Sequence, residues 1–173
     1  MDLEKLRERW IDYNKSVINK FFEHLSTESK ISNKKEENYR EKIDFFATQY
    51  LIDFESEMDE DPENEDGGII TIDTVTAGYI DSFLGRWLMQ KTDKASEKTI
   101  KDYLEVLGKF YEYLKTNKLY KEKAAQYNKL KRRLANKKKY LKRLKDYEEI
   151  QQQKDDEEKY LDLMREWEYE DLY

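Results

Sequence analysis

Leu3, Leu6, Trp10, Tyr13, Val17, Phe21 and Leu25 recur at steps of three and four residues in an otherwise polar opening segment. That spacing puts them on one face of a helix and predicts helix one over residues 2–25. The polar run STESKISN ends it. Asn33 then stands as an N-cap with Glu36 in the N3 position, and Tyr39, Ile43, Phe46, Tyr50 and Phe54 supply the stripe of helix two, over 34–54. Helix three is expected from Asp73 or Thr74, with Val75, Tyr79, Ile80, Phe83, Leu84, Trp87 and Leu88 inward. Ser96 is the N-cap of helix four, and Glu97 follows in the first turn, where the helix dipole favours an acid. Its apolar set is Ile100, Tyr103, Leu104, Leu107, Phe110, Tyr111 and Leu114, and TNKLY predicts the turn that closes it.

Beyond Gly108 there is no Gly or Pro, so nothing local interrupts one helix or a helical hairpin from about 120 to 170. Tyr127, Leu130, Leu134, Leu141 and Leu144 keep heptad spacing, with Lys137 where the next apolar residue is due. QQQKDDEE, at 151–158, is the expected bend. The pattern therefore predicts an all-α protein: a four-helix bundle over 1–120 and a long charged helical extension or hairpin over 121–173.

Composition agrees with this picture. Five Gly and one Pro are too few to punctuate strands and hairpins, while 14% aromatics is too rich for a wholly disordered chain. Phe45, Phe46, Phe83, Trp87, Phe110 and Tyr111 could line a ligand slot, but their helical spacing favours core packing. The absence of Cys excludes disulfides, thiolate zinc sites and cysteine nucleophiles. The start, MDLEKLRERW, places charge where a signal peptide needs an apolar core, and no apolar run is long enough to span a membrane. A cytoplasmic protein is expected.

Charge changes the picture more, because the formal net charge of -6 conceals opposed blocks. Residues 53–66 carry nine acids and no base. ESEMDEDPENEDGG, which spans most of them, is read as a mobile acidic loop over 55–68. It does not fit a calcium loop: counted from Asp59, positions six and twelve hold Asn64 and Ile70, and from Asp61 they hold Asp66 and Ile72, where Gly and Glu are required. Residues 118–145 hold thirteen bases against Glu122, and residues 146–173 hold twelve acids against three bases.

Within the basic block, Lys129, Lys131, Arg132, Arg133, Lys137, Lys138, Lys139, Lys142 and Arg143 surround much of a helix and leave a narrow apolar strip along Leu130, Leu134, Leu141 and Leu144. A cationic helix attracts nucleic-acid phosphates through counterion release, and double-stranded DNA is the partner this predicts. The competing reading is a helical interaction module, in which the acids of 146–173 match these charges in a hairpin or across a homodimer formed through 120–170.

Catalytic chemistry has little to stand on. His24, the single histidine, sits near the end of helix one as a packing or surface residue. No Ser-His-Asp order, metal-ligand cluster or glycine-rich phosphate loop can be assembled, and Gly67-Gly68 lacks the following Lys-Ser/Thr. No enzyme, cofactor, metal or small-molecule substrate is expected.

ITIDTVTAGYIDSFLGRWLMQKTDKASEKTIKDYLEVLGKFYEYLKTNKLY, residues 70–120, resembles the SAM-like core-binding domain of tyrosine recombinases, the phage integrase family. The shared features are the opening IDTVTAGYIDSFL, the capped loop KASEKTI, and YLEVLGKFYEYL closing at KTNKLY. In that family the small helical bundle clamps one side of the DNA, and a separate domain carries an Arg, a Lys, a His-x-x-Arg motif and a nucleophilic Tyr. Here His24 is followed by Leu25, Ser26 and Thr27, so the motif is missing. The resemblance implies a DNA-binding or recombination accessory domain without the catalytic part.

Overall fold

The computed structural model describes residues 3–28, 31–56, 68–152 and 157–172, and these are mostly helical, joined by turns and loops, with no strand among them. The fold is all-α. The elements are α1 (Leu3–Glu28), α2 (Asn33–Phe45) running directly into a π-helical segment π1 (Phe46–Glu55), then α3 (Ala77–Ser82), π2 (Phe83–Trp87) and α4 (Leu88–Lys91) as one continuous rod. They are followed by α5 (Glu97–Thr116), α6 (Ala124–Ala135), α7 (Lys137–Gln152) and α8 (Glu157–Leu172). Residues 57–67, most of the acidic loop expected over 55–68 and of the calcium-loop positions within it, and residues 153–156 of the expected bend lie outside the described residues.

Contacts group the chain into two compact units. The first joins residues 1–75 to 105–124. Its core is aromatic: Phe21 of α1 meets Phe110 of α5 edge-on at 5.2 Å, and Phe46 stacks on Tyr50 at 5.6 Å along π1. Asn14, buried in α1, receives the backbone N–H of Ile72 at 3.0 Å on its Oδ1. Tyr111 and Tyr120 donate to the carbonyls of Ile72 and Val75 at 3.0 and 2.7 Å. These bonds satisfy a loop that would otherwise bury unpaired backbone groups. Asp73, 2% exposed, accepts from Tyr13, Thr71 and Lys121, so it anchors this loop to α1 and does not start a helix.

Several helix starts differ from expectation by a few residues. Ser32, not Asn33, caps α2, its side chain accepting from the Lys35 N–H at 3.3 Å. The third helix begins at Ala77 after Thr76, because residues 71–74 are occupied by the turn around Asp73. Ser96 caps α5 as predicted, accepting from the Thr99 N–H at 3.1 Å, and the turn after α5 closes with Lys118 at φ 57.

The second unit joins residues 76–104 to 125–173. Phe83 packs edge-on against Tyr103 at 5.0 Å and stacks with Trp87 at 5.9 Å. The long extension is divided at Asn136, whose backbone N–H closes the last turn of α6 onto the Arg133 carbonyl. Its Oδ1 then accepts the Lys139 N–H at 3.3 Å, capping α7. This break resets the phase of the apolar stripe. Leu130 and Leu134 are buried in α6, but in α7 the buried set is Tyr140, Arg143 and Leu144, with Leu141 half-exposed. Lys137, the interruption in the heptads, is exposed at the start of the new phase. α8 lies antiparallel to α7: Tyr147 meets Tyr160, and Arg143 meets Trp167 and Asp171.

Candidate nucleic-acid interface

The nine cations predicted from the sequence divide into two rows on α6 and α7. Arg133, Lys139 and Arg143 turn inward. Arg143 is 1% exposed, an outcome its flanking lysines hid. Its guanidinium lies over the Trp167 ring, 5.1 Å from the centroid, and forks onto Asp171 with Nη2–Oδ1 at 2.8 Å and Nη1–Oδ2 at 3.2 Å. Nη2 also donates to Glu170 at 3.0 Å and to the Trp167 carbonyl at 3.2 Å. A bidentate, stacked guanidinium of this kind cannot be replaced by a lysine without loss.

Asp81 of α3, 1% exposed, is the second hub. It accepts from Arg133, Lys139 and Tyr140, each at 2.9 Å. Lys139 bridges the two hubs, reaching Asp171 at 2.8 Å, and Arg86 adds longer contacts to Asp171 and Glu168 at 3.7 and 3.6 Å. Four cations thus face four carboxylates, and the network is neutral. Burial, and then the neighbouring Asp81, raise the Tyr140 phenol, which stays a donor. Burial also pushes Asp171 up, but hydrogen bonds from Arg143 and Lys139 outweigh it and hold this carboxylate below its ordinary value.

A depressed folded-state pKa contributes stability above the unfolded value, about 3.9, and that contribution is lost as pH falls through the folded value. Urea titrations between pH 5 and pH 3 should therefore show stability falling with acid, and Asp171→Asn should flatten part of the slope. An unchanged slope in that variant would contradict the assignment.

Gly85 makes room for this network. A Cβ there would lie 2.6 Å from Arg143 Nη1. π2 places this residue against the guanidinium, and π-type winding often marks such special sites. Gly85→Ala should cost about 1–3 kcal/mol as an overpacking change, although alanine is the better helix former. A neutral or stabilising result in chemical denaturation would show that Arg143 can move aside freely.

The outer row is different. Lys129, Lys131, Arg132, Lys137 and Lys138 are exposed. Among the described residues none of them forms an ion pair. Lys137 exerts only the last and smallest of the influences on Glu97, whose carboxyl is lowered first by a hydrogen bond from Lys101. Lys142, exposed as well, pairs with Asp146 at 2.8 Å one turn along α7, a surface contact worth about 0–1 kcal/mol at most. Lys137 and Lys138 occupy the first turn of α7, where no acid is present and the helix dipole opposes positive charge. The junction thus concentrates cations at a helix start, against local stability.

A polar cleft of about 430 Å³ opens beside this row. Gln126, Lys129, Arg132, Arg133 and Asn136 line one wall at helical spacing, and Thr76 and Gly78 line the other.

Sequence reasoning missed Asp81, Gly85, Arg86, Trp167 and Asp171 as partners of the basic block. A signal existed for Asp81: it falls on the apolar stripe between Ala77 and Leu84, and a carboxylate on a buried stripe requires a cation. His24 packs against Tyr113 at 4.9 Å, as a packing residue would. Among the described residues no group of three or more His, Asp or Glu is placed to hold a metal ion, and no helix is long and apolar enough to cross a membrane. No family model, curated protein or solved structure matches the chain.

Proposed function

We propose that this chain is a non-catalytic DNA-binding module, an integrase-like accessory domain whose α6–α7 junction holds the phosphate backbone of double-stranded DNA. One observation carries the reading: Asp171, Glu170 and Glu168 of α8 are engaged with Arg143, Lys139 and Arg86, and Lys129, Lys131, Arg132, Lys137 and Lys138 remain open to solvent. The three acids at the end of α8 that could have mimicked DNA thus pair with the inner row and Arg86, and not with the outer row. Exposed lysines and an arginine without base-reading geometry supply affinity and little sequence preference.

The competing reading, a homodimer through 120–170, draws on Leu161 and Tyr169 of α8, which are 47% and 67% exposed. Two measurements on the full chain separate them. Fluorescence anisotropy with a mixed-sequence duplex at low salt should show saturable binding, and light scattering at high protein concentration should return a monomer mass. Absence of binding at low salt removes the DNA reading, whereas a dimer mass with no binding establishes the other.

A further inference from the structure

Lys129, Arg132, Arg133 and Asn136 recur at steps of three and four residues, and Gln126 continues the series one turn earlier. They form a polar stripe along one face of α6, next to the buried stripe of Leu130 and Leu134. All five line the cleft, with Lys129, Arg132 and Asn136 exposed at it and Gln126 and Arg133 half-buried. Its volume of about 430 Å³ lies at the lower end of the range for small-ligand sites, roughly 300–1,000 Å³. A duplex cannot enter such a space, but one nucleotide can.

Charge decides what kind of ligand it suits. Asp81 and Asp171 also border the cleft and would repel an anion if they stood alone. They do not, because Arg133, Lys139, Arg143 and Arg86 compensate them together with Glu168 and Glu170. The surplus is Lys129 and Arg132, two cations without ion-pair partners among the described residues. A doubly charged phosphate monoester matches a surplus of two, where an internal backbone phosphate carries a single charge. The remaining wall offers amides: Asn136 uses Oδ1 to cap α7 and keeps its N–H donors, and Gln126 has both donor and acceptor. Such amides are suited to the edge of a base.

We infer that this cleft binds one nucleotide through its phosphate monoester, held by Lys129 and Arg132 with Gln126 and Asn136 against the base. The inference deepens the DNA-binding reading and rests on it for the biological source: a 5′-phosphorylated strand end or a free nucleotide presents the same group.

Gly78 supplies the test. It is exposed, lines the wall opposite α6, and a Cβ there meets only the Thr76 hydroxyl at 3.9 Å. Gly78→Leu fills the cleft without removing a charge, and in a helix it replaces a poor former by a good one. Calorimetric titration of the full chain with AMP at low salt should show binding, with adenosine at least tenfold weaker. Gly78→Leu should weaken AMP at least tenfold and leave duplex affinity within about twofold. Lys129→Ala/Arg132→Ala, as a second variant, should also lose AMP.

Comparing 5′-phosphorylated with 5′-hydroxyl short single strands identifies the source. Tighter binding of the phosphorylated strand points to strand ends, and a benefit seen with AMP alone points to free nucleotide. The inference is overturned if AMP does not bind, if adenosine binds as well, or if AMP affinity survives Gly78→Leu. Duplex binding without AMP binding would overturn it and leave the DNA-binding reading standing. AMP binding without duplex binding would do the reverse.

Discussion

Arg143→Ala should lower the free energy of unfolding by about 3–5 kcal/mol, the range seen when one partner of a buried ion pair is removed. Arg143 is 1% exposed and is held on one side by Asp171, Glu170 and the Trp167 carbonyl, with the Trp167 ring stacked against it. Its removal leaves a void against Trp167 and withdraws the bidentate partner of Asp171. Lys139 and Arg86 remain beside that carboxylate, so the cavity and the lost stacking account for more of the cost than an orphaned charge does. Arg143→Lys keeps the charge and should recover only part of the loss, because an ammonium cannot fork onto Asp171. Urea unfolding of the three proteins measures this. A second readout is local: α8 should become a preferred site of limited proteolysis in Arg143→Ala. A loss below about 1 kcal/mol would mean that Arg143 behaves as a surface residue.

The second large effect is on binding. Lys131→Gln/Arg132→Gln/Lys137→Gln/Lys138→Gln should weaken duplex binding on the order of 100-fold at moderate salt, because each phosphate contact carries its own share of counterion release. Stability should move the other way or not at all. Lys137 and Lys138 stand in the first turn of α7 against the dipole, so neutralising them relieves a repulsion. Binding and stability moving in opposite directions would mark these residues as placed for a partner. If binding is unchanged, the outer row is only a solvated surface. A matched variant, Lys98→Gln/Lys101→Gln, alters two exposed cations of α5 that already pair with Asp102 and Glu97, and should leave affinity nearly intact.

The helices themselves were legible because apolar residues at three- and four-residue steps leave few alternatives, and Ser96 marked the start of α5. The charge blocks also left open that the basic stretch would meet the acids of 146–173. What they could not convey is which cation meets which acid. Arg143 reads as one of many exposed basics until Asn136 breaks the helix and rotates α7 by a change of phase. Tyr140, Arg143 and Leu144 then turn inward together. Asp81 lies about fifty residues before Arg133 in the chain, and no local pattern joins them. Tertiary packing of distant segments decided the inner row. The outer row is exposed, and among the described residues no distant acid pairs with it.

The division into an engaged inner row and an open outer row is tested most directly by the salt dependence of duplex binding to the intact protein. Five phosphate contacts, from Lys129, Lys131, Arg132, Lys137 and Lys138, predict that log Kobs falls linearly with log salt at a slope of about -4 to -5. A slope of about -8, as nine contacts would give, would mean that Lys142, Arg133, Lys139 and Arg143 also reach DNA. No binding at low salt would contradict the account altogether.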